Sequence, residues 1–154
     1  MNLLFLRHAD AVAGRDDARR PLSTAGKRDA RRLARFLQRA GIRFDAAYSS
    51  PLVRARQTAE IVLAITQAPR KPKLSLADAL LNEATDFAGW LESLPEAQTV
   101  LLVGHAPSLG ERVCGLLGVA DASRLKLAKG GLACLETDDR RGARLKFLVS
   151  PKVL

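Results

Sequence analysis

A chain of 154 residues, 47% hydrophobic and 27% charged, is long enough for one domain and apolar enough to fill a core, which excludes disordered and low-complexity classes. No apolar run approaches the roughly 18–20 residues that span a bilayer, and Leu3–Leu6 has no basic leader before it, so an unexported, cytoplasmic protein is expected. The 25 Lys+Arg against 16 Asp+Glu leave a net charge of +9; 18 of the basic residues are Arg, whose forked guanidinium suits carboxylate and phosphate partners.

Leu3 to Leu6 is a short continuous apolar run, the pattern of a strand buried on both faces. Arg15 to Arg20 reads as a polar loop. From Thr24 to Ala40 apolar residues recur at Ala30, Leu33, Ala34, Leu37 and Ala40, which is helical spacing, with Ser23 or Thr24 as N-cap and Gly41 as the stop. Ala46 to Ser49 reads as a second strand. Ser50-Pro51 is expected to open the next helix, with Pro at its first position, and that helix runs to about Thr66.

Lys73 to Leu76 is a weak strand, Phe87 to Leu94 a turn or two of helix, and Thr99 to Val103 the clearest buried strand. Gly104-His105-Ala106-Pro107 then leads into a helix ending near Leu117. Leu132 to Glu136 and Arg144 to Val149 close the chain as a hairpin across the polar turn Thr137 to Gly142. Alternating strands and helices with no composition break predict a single domain over residues 1–154. Its expected architecture is a three-layer α/β/α fold with a mostly parallel sheet and one antiparallel strand. Cys114 and Cys134 stand alone among apolar residues, without a C-x-x-C, and read as buried inert thiols.

The only two histidines occupy equivalent places. His8 follows Leu3–Arg7 and His105 follows Val100–Gly104, so both stand just past the carboxyl end of a buried parallel strand, the edge where open α/β sheets bind ligands. The strand Ala46–Ser49 delivers Arg54 to the same edge, on the first turn of a helix whose N–H groups attract anions. Arg7, His8, Arg54 and His105 therefore converge. Two guanidiniums and two imidazoles suit a tetrahedral phosphoryl group, held by the cations while one imidazole attacks phosphorus in line.

Other chemistries have less support. His8-Ala9-Asp10 is an H-x-D triplet, but a hydrolytic metal site needs three or four protein ligands, so no metal and no cofactor are assigned. The phosphate-loop, dinucleotide and serine-hydrolase signatures are absent.

Leu6-Arg7-His8-Ala9 resembles the Arg-His-Gly signature of the histidine phosphatase superfamily, also called phosphoglycerate-mutase-like, with Ala9 where Gly is usual. The segment Ser49 to Ala59 is similar to that family's Ser-Pro-x-x-Arg-x-x-Gln-Thr motif, and Val103-Gly104-His105-Ala106-Pro107 to its Gly-His turn. The short length, with Arg20-Pro21-Leu22-Ser23 and Gly26, resembles the small bacterial phosphohistidine phosphatases of the SixA type. The resemblance implies a metal-independent phosphatase in which His8 is the nucleophile, with Arg7, Arg54 and His105 as the phosphate pocket. It implies that Arg20 borders the substrate, a role that competes with that of an exposed loop cation. Larger members carry an acidic proton donor between the second motif and the Gly-His turn. Asp78, Glu83 and Asp86 occupy that stretch here, and the role is assigned to none of them.

The expected substrate is phosphohistidine on a signalling or phosphotransfer protein. The alternatives are a small phosphomonoester or, from another class, a nucleic-acid or phosphoprotein binding module without catalysis. Arg28, Arg31, Arg32, Arg35 and Arg39 crowd one face of the Thr24–Ala40 helix, read first as a solvated face and second as a dock for an acidic protein. Nucleic acid is disfavoured as partner, because aromatic residues are only 5% and none interleave with the basic ones for base stacking.

Overall fold

Alternation of side chains along the strands decides the layering. In the computed structural model, which describes residues 1–154, strands β1 (Asn2–Arg7) and β4 (Thr99–Gly104) lie side by side in the middle of a six-stranded sheet. Successive strand residues point to opposite faces. Leu4, Leu6, Leu101 and Val103 accordingly join one core, and Leu3, Phe5, Val100 and Leu102 the other. A run with no polar residue is what a strand with a core on each face requires.

The first core is closed by α1 (Thr24–Arg39) and α2 (Val53–Gln67), which contribute Leu33, Leu37, Ala55 and Val62. The second is closed by α3 (Phe87–Ser93) and α4 (Ser108–Leu117), through Leu91, Leu109 and Val113. With β2 (Ala46–Ser49), β3 (Leu74–Leu76), β5 (Leu132–Glu136) and β6 (Arg144–Val149), the strand order is β3-β2-β4-β1-β5-β6. The pairs among β3, β2, β4 and β1 are parallel, and β5 runs against both β1 and β6. This is the expected three-layer fold with its one antiparallel strand. Cys114 and Cys134 are free and buried in it.

Ser23 is the cap of α1, its Oγ accepting from Gly26 N at 3.0 Å, and the chain leaves that helix through Gly41 at φ +70°. One boundary differs from expectation. Pro51 does not open α2; the helix begins at Val53 with Leu52 as N-cap. Ser50 N donates to Val103 O, which prolongs the β2–β4 ladder by a residue, and Ser50 Oγ accepts from Leu52 N. The chain therefore turns over Ser50–Leu52 before the helix can start. The polar loop after β1 holds a single 3-10 turn at Asp17–Arg19.

Candidate active site

Parallel register builds the site. Arg7 pairs with Gly104 and Ser49 with Val103, so the next residues, His8, His105 and Ser50, emerge together at the carboxyl edge of the sheet. His8 N donates to Gly104 O at 3.0 Å, which carries the β1–β4 ladder up to the histidine itself. The two imidazole rings lie 5.0 Å apart between centroids and are tilted by 49°. Both are buried, His8 at 8% exposure and His105 at 3%.

Hydrogen bonds assign the ring nitrogens. His8 Nδ1 lies 2.7 Å from Ala9 O, an acceptor only, so Nδ1 carries the proton and Nε2 keeps its lone pair. His105 Nε2 shares a 2.6 Å hydrogen bond with Ser50 Oγ, while its Nδ1 is buried without a partner. Burial pushes the His8 imidazole down to about 4. The bond to Ala9 opposes this, and the Arg54, Arg7 and Lys129 cations add to it. Burial takes His105 to about 3, assisted by His8 and by Arg54. Both rings are neutral at pH 7.

Arg54 sits on the first turn of α2 and is buried at 7% exposure. Its Nη1 donates to Asp17 O at 2.8 Å and its Nη2 to Asp17 Oδ2 at 3.2 Å. Arg7 ends β1, where its Nη1 donates to Leu127 O at 3.1 Å and burial lowers its pKa. The Nε atoms of Arg7 and Arg54 are buried without partners.

Helix α2 does more than carry Arg54. Arg54, Gln57 and Thr58 are spaced i, i+3, i+4 and so share one face of the helix. Thr58 Oγ1 accepts from Ala9 N at 3.1 Å and donates to Arg54 O at 2.7 Å, tying the residue after His8 to the turn that holds the arginine. Gln57 Oε1 accepts from Leu22 N at 2.8 Å and anchors the return of the loop after β1. Asn82 holds the His105 turn, donating to Ala106 O and accepting from Ser108 N. Gln57 and Thr58 stood inside the second motif without an assigned task. Their spacing from Arg54 was the available signal; Asn82 and Asp17 had none.

Arg20, like His8 and Arg7, is not among the residues that line the cleft at His105 and Arg54. Its Nε and Nη2 donate to Asp17 Oδ1 at 3.0 and 2.8 Å and its Nη1 to Val12 O at 3.4 Å, so it meets the site through Asp17. The Asp17 carboxyl is held below its usual range by Arg20 first and Arg54 second. The Asp10 carboxylate of the H-x-D triplet is taken up by Ser23 Oγ at 2.7 Å and Lys129 Nζ at 3.0 Å, and nowhere do three His, Cys, Asp or Glu side chains gather. Of the three acidic candidates, Asp86 caps α3 by accepting from Gly89 N and Asp78 is exposed on a short turn. Glu83 alone lines the cleft. That cleft is open, about 710 Å³, and bordered by Asp17, Leu52, Arg54, Asn82 and His105.

Residues 3–80 match the model of the histidine phosphatase superfamily, branch 1. The chain belongs to the histidine phosphatase superfamily. It is 36% identical to an uncharacterised protein of Picosynechococcus over 165 aligned positions, covering 100% of this chain and 99% of the relative. To the phosphohistidine phosphatase SixA of Escherichia coli it is 27% identical over 119 positions, 75% of this chain and 74% of SixA. The structure of the protein histidine phosphatase SixA complexed with tungstate superposes with a TM-score of 0.89 at 23% identity, over 99% of both chains. The alpha-ribazole phosphatase of Shigella flexneri superposes with a TM-score of 0.71 at 18% identity, over 98% of this chain and 97% of that one, which shows the fold alone. This member of the superfamily is a phosphatase, and none of its helices is long and apolar enough to cross a membrane.

Proposed function

We propose that the protein hydrolyses phosphohistidine on a partner protein, through an intermediate phosphorylated on His8. The observation that carries this reading is the hydrogen bond from His8 Nδ1 to Ala9 O, which leaves Nε2 unprotonated beside two arginines and a second imidazole. In the first step His8 Nε2 bonds to phosphorus as the bond to the leaving group breaks, with Arg7 and Arg54 offering positive charge and donors to the phosphoryl oxygens and the neutral His105 ring a donor. In the second, water attacks phospho-His8, the P–N bond breaks, and inorganic phosphate and neutral His8 are restored. No metal or cofactor takes part in either step.

The substrate follows from the leaving group. An imidazole leaves phosphorus readily once its other nitrogen is protonated by solvent, whereas an alkoxide needs a proton delivered as its bond breaks. The open cleft suits a protein surface better than an enclosed metabolite. The likeness to proteins described as phosphohistidine phosphatases agrees with this. The position of Glu83 favours a second reading, a small phosphomonoester, because a carboxyl at the cleft wall could supply that proton. Steady-state comparison separates the two. We expect kcat/KM for a phosphohistidine-bearing protein to exceed that for phosphoserine and sugar phosphates by at least about tenfold, or ~1.4 kcal/mol of barrier. Equal or better turnover of a sugar phosphate would establish the second reading instead.

A further inference from the structure

We propose that Asp17 is a built-in competitor of the phosphoryl group: its carboxylate holds the Arg54 guanidinium, and an incoming phosphate binds by displacing it. The inference rests on the reading of Arg54 as a phosphate ligand and adds a residue that sets which anions the site accepts.

Three observations lead there. Arg54 is buried at the cleft, and each of its terminal nitrogens gives one hydrogen to Asp17, one to the carbonyl and one to the carboxylate. The Nη2 hydrogen that now meets Asp17 Oδ2 passes to a phosphoryl oxygen only when that carboxylate leaves, and while it stays its negative charge opposes a second anion on the same guanidinium. Next, Asp17 has somewhere to go. Its other carboxylate oxygen is already paired with Arg20 Nε and Nη2, so leaving Arg54 does not strip it of a counter-charge. Finally, the loop that carries Asp17 is fixed at its neck and not along its length. Ala11 bridges to Leu22, Val12 N donates to Pro21 O, and Ser23 N donates to Asp10 O, whereas every residue from Val12 to Arg19 is exposed. The Asp17–Arg54 contact thus ties an exposed tip to a buried cation, and rotation of the Asp17 side chain undoes its carboxylate half while the carbonyl bond stays.

The exchange discriminates between anions. Free phosphate, the reaction's product, has only its own contacts with which to displace a carboxylate. A phosphorylated protein brings the rest of its interface, so the competitor weakens product retention more than substrate capture. A competitor and a merely structural carboxylate predict opposite signs. If Asp17 only braced Arg54 and the loop, its removal would loosen the phosphate site and weaken anion binding.

The experiment is calorimetric titration of the full chain with inorganic phosphate and with orthovanadate, in the parent, Asp17→Asn and Asp17→Ala. The Asp17 main-chain carbonyl stays in both variants, so the change reports the carboxylate. Exchanging one charge-assisted contact for another predicts binding tighter by about tenfold in both variants, with a lower KM and no gain in kcat. Unchanged or weaker anion binding overturns the proposal. Turnover by the parent is a separate readout: a parent that binds phosphate but turns over no phosphorylated substrate would sink the phosphatase mechanism and leave the competition at Arg54 measurable.

Discussion

Protonation sets what the two imidazoles can do. A buried imidazole flanked by guanidiniums resists a second proton, and His8 near 4 with His105 near 3 are therefore neutral through the physiological range. Two histidines give two ring signals by NMR, each assignable by one substitution. Both should remain neutral at pH 6 and titrate well below it; a midpoint near 6.5 for either ring would contradict the buried, cation-flanked site. Stability follows with a definite sign. Because the folded pKa values lie below the unfolded value of about 6.5, the unfolded chain binds more protons between these limits. The contribution is whole above about pH 6.5 and is lost as the pH falls through about 4 for His8 and about 3 for His105, a decline of several kcal/mol that denaturant titration at several pH values would measure. At the same scale, Arg54→Ala should lower kcat/KM by about 10²-fold or more while the variant stays folded, since the contacts it loses include two hydrogen bonds to an exposed loop. Unchanged kinetics in a folded variant would count against its place in the phosphate pocket.

Elements set how closely these residues meet. A Cβ on Gly26, in the first turn of α1, would lie 2.0 Å from Asp10 O, two residues past His8. The helix therefore packs directly on the backbone that leaves β1 past His8, and only glycine allows that approach. Gly26→Ala should cost about 3 kcal/mol or more and reduce activity along with stability, because the clash is with backbone that cannot step aside. A thermal unfolding midpoint equal to the parent's would show that α1 is not so placed.

Much of this scale was legible in the sequence. Unbroken apolar runs in β1 and β4 gave a parallel sheet buried on both faces, and the histidines just past them gave the edge where the site lies. The start of α2 was not legible. Ser-Pro is a common helix opening, and only the hydrogen bond of Ser50 N to Val103 O, a contact between distant segments, keeps Ser50 with the sheet. Asp17 was hidden for the same reason. A loop aspartate in sequence is one of many, and its meaning comes from a fold that lays it on Arg54, 37 residues away.

Over the whole molecule the charge is uneven in its use. Arg7 and Arg54 are spent inside the fold, whereas Arg31, Arg32, Arg35 and Arg39 on α1 are exposed and make no ion pair; Arg28 has only Asp29 at 3.6 Å. That face is solvated, and its field can raise the encounter rate of anionic partners without specifying one. The proposed chemistry rests on the buried Arg54, the half-buried Arg7 and two neutral rings, and its central claim concerns one atom, Nε2 of His8. The most direct test is to mix the protein with a phosphorylated substrate, quench with alkali, and locate the phosphoryl group by mass spectrometry. The account predicts a phosphoryl group on His8, stable to alkali and lost in acid, absent from a folded His8→Ala variant that also fails to turn over. Phosphate trapped on another residue, or turnover retained by folded His8→Ala, would contradict it.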